Sequence, residues 1–243
     1  MDIHTRENEV PRALRGVIRH EPWTYGRSLL GAPLEGYGPR SGPVDVLLMA
    51  AMHGDESDTT VVLSEALRRV RPGDMHNPVL LCVNPDGAQR GTRCNARGVD
   101  LNRNLPSANW DGGTVRYRGH GETTREIELS PGTEPASEPE TLALLEVIER
   151  LQPRNIVSLH APLACIEDPA GGKLAQWAAA KTGLPMVPSV GYPTPGSFGS
   201  WCSDNGIGIL TWELPPEPLP ELIRSHKSVL RTLIRGAYPP GIV

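Results

Sequence analysis

Four short apolar runs constrain this chain most. They span residues 44–51, 78–83, 155–160 and 207–212. Each is short for a helix, rich in Val, Ile and Leu, and bounded by turn residues, which reads as a buried strand. Between them lie stretches of helical spacing. Residues 57–70 carry Val61, Val62, Leu63, Ala66 and Leu67 and stop before Pro72-Gly73. Ser137-Glu138-Pro139-Glu140 opens a second helix to Arg150, with Ser137 as N-cap and acids in the first turn. Further helices are expected near 171–182 and from 220 to about 235, and a hairpin over 24–37. Strands alternating with helices imply an α/β fold with a mixed, partly parallel twisted sheet flanked by helices. Asn84-Pro85-Asp86-Gly87 reads as a turn. Residues 87–136 show little regular periodicity.

The 243 residues fit one domain, 1–243, with 1–20 as an irregular leading segment. A net charge of −4 argues against nucleic acid or an anionic membrane as a general partner. Residues 1–19 are charged and lack the apolar centre of a secretion signal, and the longest apolar runs are too short to span a bilayer. A cytoplasmic location is therefore expected. Cys82, Cys94, Cys165 and Cys202 show no C-x-x-C spacing and read as reduced thiols, with Cys82 in the core.

Two of the strand-like runs lead directly to a histidine. The first reaches His53-Gly54-Asp55-Glu56, and the third ends at His160. Two imidazoles and a carboxylate suit one zinc ion, with a fourth coordination position open for water, the arrangement of a catalytic rather than a structural site. The spacing is neither H-E-x-x-H nor H-x-x-E-H, which excludes the helical zinc-protease sites. Taken singly, each histidine also fits a satisfied core residue. Glu213, after Leu210-Thr211-Trp212, fits a surface glutamate at a strand end equally well.

Gly98-Val99-Asp100-Leu101-Asn102-Arg103-Asn104, together with His53-x-x-Glu56, Asn84-Pro85-Asp86-Gly87 and Glu213, resembles the zinc carboxypeptidase family over about residues 24–217. The phrases Tyr25-Gly26-Arg27-Ser28-Leu29-Leu30-Gly31, Pro162-Leu163-Ala164-Cys165-Ile166-Glu167-Asp168-Pro169 and Gly196-Ser197-Phe198-Gly199-Ser200-Trp201-Cys202 are similar to its bacterial amidases of cell-wall (murein) peptides. The resemblance implies a zinc-carboxypeptidase-like sheet and one zinc ion per chain, bound by His53, Glu56 and His160. Asp100 would orient His53 through its outer nitrogen. Asn102 and Arg103 would grip the carboxylate of the residue beyond the scissile bond. Arg93 would stabilise the oxyanion, with Arg97 as a weaker competitor. Glu213 would be the general base, and Tyr192 a mobile substrate-binding residue. The pattern of those amidases has an aspartate after the second histidine, where this chain has Ala161.

The implied substrate is the murein tripeptide L-Ala-γ-D-Glu-meso-diaminopimelate, cut before diaminopimelate in wall-peptide recycling. Its far ammonium needs an acid, for which Glu167 and Asp168 are the nearest candidates. A zinc hydrolase of other γ-glutamyl or N-acyl amino acids, and a non-catalytic murein-peptide-binding protein, remain alternatives. A homodimer and a monomer are both compatible with the sequence.

Overall fold

The computed structural model describes residues 10–118 and 126–243. Of the leading segment, residues 1–9 lie outside the described residues, and 10–20 hold a single 3-10 turn at Arg12–Leu14. Strands β1 (Trp23–Arg27) and β2 (Pro33–Tyr37) form the expected hairpin. β3 (Val46–Met49) leads into α1 (Ser57–Leu67), and β4 (Val79–Leu80) into α2 (Pro85–Arg90). β5 (Val115–Arg118) and β6 (Glu126–Leu129) pair as a separate antiparallel ribbon. α3 (Pro139–Leu151), β7 (Asn155–His160), β8 (Cys165–Glu167), α4 (Lys173–Thr182) and β9 (Met186–Val187) follow. The chain closes with α5 (Phe198–Asp204), β10 (Gly208–Glu213) and α6 (Leu219–Ile234).

Eight strands form one sheet in the order β1-β2-β4-β3-β7-β10-β8-β9. Its centre, β4-β3-β7-β10, is parallel, while β1-β2, β2-β4 and β10-β8 are antiparallel. This is the mixed, partly parallel sheet the alternation implied.

Side chains alternate across the central strands. Val157, Leu159, Leu210 and Trp212 point to the face covered by α1, α4 and α6. Ile156 and Ile209 point to the other face, under α3 and α5. Parity therefore sends Ser158, His160, Thr211 and Glu213 to that second face, at the C-terminal edge of the parallel strands. Open α/β sheets bind ligands at this edge.

Local readings differ in three places. Asn84-Pro85-Asp86-Gly87 is not a free turn: it starts α2, with Asn84 Oδ1 accepting from Gly87 N–H at 2.9 Å and Pro85 at the first helical position. The N-cap of α3 is Glu138, not Ser137, whose hydroxyl instead donates to Glu138 Oε1 at 2.9 Å. Finally, β5, β6, β8, β9 and α5 show no period in the sequence, because two to seven residues hold too few repeats to register.

Candidate active site

His53 lies in the loop between the end of β3 at Met49 and the start of α1 at Ser57, and His160 is the last residue of β7. The intervening loop brings Glu56 to both. His53 Nδ1 lies 2.6 Å from Glu56 Oε1, His160 Nδ1 lies 3.0 Å from Glu56 Oε2, and the two Nδ1 atoms are 3.1 Å apart. Three donor atoms thus converge on one point, and both histidines are buried. Ligand atoms around a tetrahedral zinc with bonds of about 2.0–2.1 Å sit roughly 3.3 Å apart. The trio is a few tenths of an ångström tighter, and its donor chemistry fits that metal. Gly54 permits the loop: a Cβ there would sit 2.1 Å from the carbonyl carbon of Gly87, so only glycine lets the two segments touch.

Burial alone would raise the Glu56 carboxyl. The His53 and His160 rings outweigh it and hold Glu56 below the usual carboxylate range. Burial and Arg93 push His53 down, but Glu56 and Asp100 prevail and its net shift is upward. The outer nitrogens of both rings face polar groups. His160 Nε2 is 3.1 Å from Ser158 Oγ. His53 Nε2 is 3.4 Å from Asp100 Oδ1, a long contact rather than a closed hydrogen bond. Asp100 accepts closer bonds from Arg93 Nε at 3.0 Å and from Asn102 N–H at 2.9 Å.

A cleft of about 510 Å³ opens over this cluster. His53, Glu56, Arg93, Asn102, Arg103, His160, Tyr192 and Glu213 all line it, whereas Arg97 does not. Arg97 instead points to Glu138 at 3.5 Å with half its side chain exposed. Arg93 is wedged between Asp100 and Glu56, its Nη1 3.6 Å from Glu56 Oε1. Arg103 is 4% exposed, with Nη1 donating to Asn102 O at 2.6 Å and Nε lacking a partner among the described residues. Asn102 Oδ1 accepts from Phe198 N–H at 2.8 Å, tying this segment to α5. Gly196 packs against the same segment, where a Cβ would meet Arg103 O at 2.3 Å. Tyr192 stands half exposed at the rim.

Glu213 ends β10 beside His160 and accepts from Leu163 N–H at 3.3 Å. Burial raises its carboxyl, His160 opposes this, and the charge of Glu56 adds to the rise. A raised carboxyl is a better proton acceptor than an ordinary glutamate. The segment carrying Arg93, Asp100, Asn102 and Arg103 has little regular structure. It is held by two buried asparagines. Asn95 Nδ2 donates to Glu138 Oε2 at 2.7 Å, and Asn104 Nδ2 donates to Pro131 O at 2.8 Å.

Several lining residues carried no motif signal: Ser158, Asn109, Asp204 and Thr211. Ser158 and Thr211 had one available cue, since each lies two residues before a site residue on the same strand face. Of the two acids proposed to meet a substrate ammonium, Glu167 lines the cleft and Asp168 does not. Asp168 is a turn residue, accepting from Ala170 N–H and Gly172 N–H, each at 2.8 Å. Glu167 is the last residue of β8 and keeps its place on the cleft face, whereas Asp168 lies past the strand end and is consumed by the turn.

A family model, zinc carboxypeptidase, matches residues 73–186. Murein peptide amidase A of Escherichia coli (strain K12) is 48% identical over 227 residues, covering 93% of this chain and 94% of that protein. The enzyme of the same name from Vibrio campbellii (strain ATCC BAA-1116) is 40% identical over 230 residues, covering 93% and 92%. The crystal structure of murein-tripeptide amidase MpaA from Escherichia coli O157 superimposes with a TM-score of 0.90 at 46% identity, over 96% of this chain and 98% of that one. Thrombin activatable fibrinolysis inhibitor shares the fold at 18% identity, with a TM-score of 0.66 over 90% of this chain and 70% of that one. With its converging His-Glu-His cluster and these relatives, the chain belongs to the zinc carboxypeptidase family of metallohydrolases, on the branch of the murein peptide amidases.

Proposed function

We propose that this protein is a one-zinc amidase that cuts L-Ala-γ-D-Glu-meso-diaminopimelate between the D-Glu γ-carboxyl and diaminopimelate. The observation that carries the reading is the convergence of His53, Glu56 and His160 beside Glu213, in a cleft that also holds the buried Arg103. The names of the 48% and 40% identical relatives support the substrate class. A cytoplasmic role in recycling wall peptides belongs to the same reading.

Zinc, when held by His53, Glu56 and His160, supplies Lewis acidity toward water and the scissile carbonyl. The remaining chemistry falls to the chain. Glu213 takes a proton from the attacking water and returns it to the departing amine of diaminopimelate. Arg93 offers its guanidinium to the oxygen of the scissile carbonyl as negative charge grows there. Arg103 and Asn102 hold the carboxylate next to that amine, so the amide stays over Glu213. Asp100 steadies Arg93 through a 3.0 Å bond to Nε. Ser158 steadies the His160 ring from behind.

The test is incubation of the zinc-loaded protein with the tripeptide, followed by mass spectrometry for free diaminopimelate and L-Ala-D-Glu. Dipeptides with ordinary C-terminal residues serve as comparison. Release of both products, with the dipeptides left intact, is expected. An intact tripeptide would refute the assignment.

A further inference from the structure

The cleft extends below the catalytic residues along the sheet. His160, Glu213 and Cys165 form one rung across β7, β10 and β8. Two residues earlier along β10, Ser158, Thr211 and Glu167 form the next rung in the same register. Directly opposed residues share a face, so the second rung points into the same cleft as the first. All three of its members line that cleft. Glu167 is half-buried and accepts from Val190 N–H through Oε1 at 3.0 Å. Its Oε2 has no hydrogen-bond partner among the described residues.

We infer that Glu167 is the specificity-determining acid of this cleft, reading a second ammonium on the residue released from the scissile bond. The inference rests on the proposed amidase reading and adds the residue that selects the substrate. Two residues along a strand rise roughly 7 Å. Three methylenes between the two amino-acid centres of diaminopimelate span about 5 Å when extended, and the ammonium reaches about another 1.5 Å. An amide held over Glu213 therefore sets the distal ammonium at the level of the second rung. Charge supports the same choice. The arginines lining the cleft are Arg93 and Arg103, both of which contact the loop carrying Asp100 and Asn102, and no lysine lines it. The second rung offers one carboxylate and the hydroxyls of Ser158 and Thr211. It thus reads the distal ammonium by charge and the distal carboxylate only by hydroxyl groups. Besides Glu56 and Glu213 at the catalytic centre, Asp204 is the other acid lining the cleft. One of its oxygens is engaged by Ala108 N–H at 2.7 Å, and the residue is exposed at the end of α5.

The experiment compares two substrates, L-Ala-γ-D-Glu-meso-diaminopimelate and its 2-aminopimelate analogue, which lacks only the distal ammonium. The wild type should prefer the first in kcat/KM by at least roughly tenfold, the scale of one charge-assisted bond. Glu167→Gln should bring that ratio near one, chiefly by raising KM for the natural substrate, while cleavage of the analogue stays within a few-fold. Calorimetric binding of free diaminopimelate and 2-aminopimelate to the same proteins should show the same loss of preference. Glu167→Asp keeps the charge and should restore part of it. An unchanged preference in Glu167→Gln, or its loss in Asp204→Asn instead, overturns the inference. So does a wild type that cuts both substrates equally, a result that needs no variant to fold. Failure of the wild type to cut either substrate would refute the amidase reading itself and is distinguishable from all of these.

Discussion

His160 and Glu213 are direct partners across the parallel pair of β7 and β10. A candidate metal ligand and the candidate base therefore sit on neighbouring strand ends of one sheet, and their separation is set by backbone hydrogen bonds rather than by a loop. Rigid placement of this kind is what positions a base over a reacting water. Glu213→Gln keeps the shape and removes the proton acceptor. Turnover should fall by roughly 10²–10⁴-fold, with zinc content by metal analysis unchanged. Retained turnover would show that the proton goes elsewhere.

Metal removal should abolish activity without unfolding the chain. Glu56 bridges both rings, at 2.6 and 3.0 Å, and the sheet beneath is packed independently of the cluster. A ligand that binds only the native state stabilises it by about 4 kcal/mol at a thousandfold excess over Kd. For a chain of this size that corresponds to a Tm drop of roughly 10 °C on chelation. Calorimetry of the chelated protein should show one cooperative transition at the lower temperature, and added zinc should restore both Tm and turnover. Loss of any transition after chelation would mean the metal is required for folding.

The legible parts of this protein are those with enough residues to show a period. β7 was read to its last residue, and His160 followed from it. Ser158 was readable by the same two-residue parity, since a polar residue at an inward strand position needs a partner. Glu167 and Asp168 were indistinguishable in sequence. Their opposite fates are decided by the pairing of β8 with β10, and β8 is only three residues long. The segment with Arg93, Asp100, Asn102 and Arg103 was legible only through its resemblance to a family. Its shape comes from buried asparagines bonded to distant carbonyls and carboxylates, which no local pattern encodes.

Arg103 should act on binding rather than on chemistry. It is 4% exposed, with burial lowering its pKa against the opposing pull of Asp100. A planar guanidinium grips a carboxylate through two bonds, which a lysine cannot reproduce. Arg103→Lys should raise KM for the tripeptide by roughly 10–100-fold, the scale of one lost charge-assisted bond, with kcat within a few-fold. Steady-state kinetics on the tripeptide check this. A fall in kcat at constant KM would move Arg103 from substrate binding to the chemical step.

His226, on α6 beneath the sheet, should set part of the acid limit of stability. It is 1% exposed, packs edge-on against Trp212 at 5.7 Å between ring centres, and neither ring nitrogen has a partner among the described residues. Burial lowers its pKa from 6.5 to about 4. Between those values the unfolded chain takes up a proton that the native state refuses. Stability is thus unaffected by this group above about pH 6.5 and declines as pH falls toward 4, by up to about 3 kcal/mol. His226→Leu keeps an apolar filling of similar size and removes the titrating group. Urea denaturation of wild type and variant at several pH values between 4 and 7.5 checks this. The variant should lose less stability than the wild type over that range, with the gap opening only below pH 6.5. Parallel curves for the two proteins would show that His226 finds a partner for its proton in the native state.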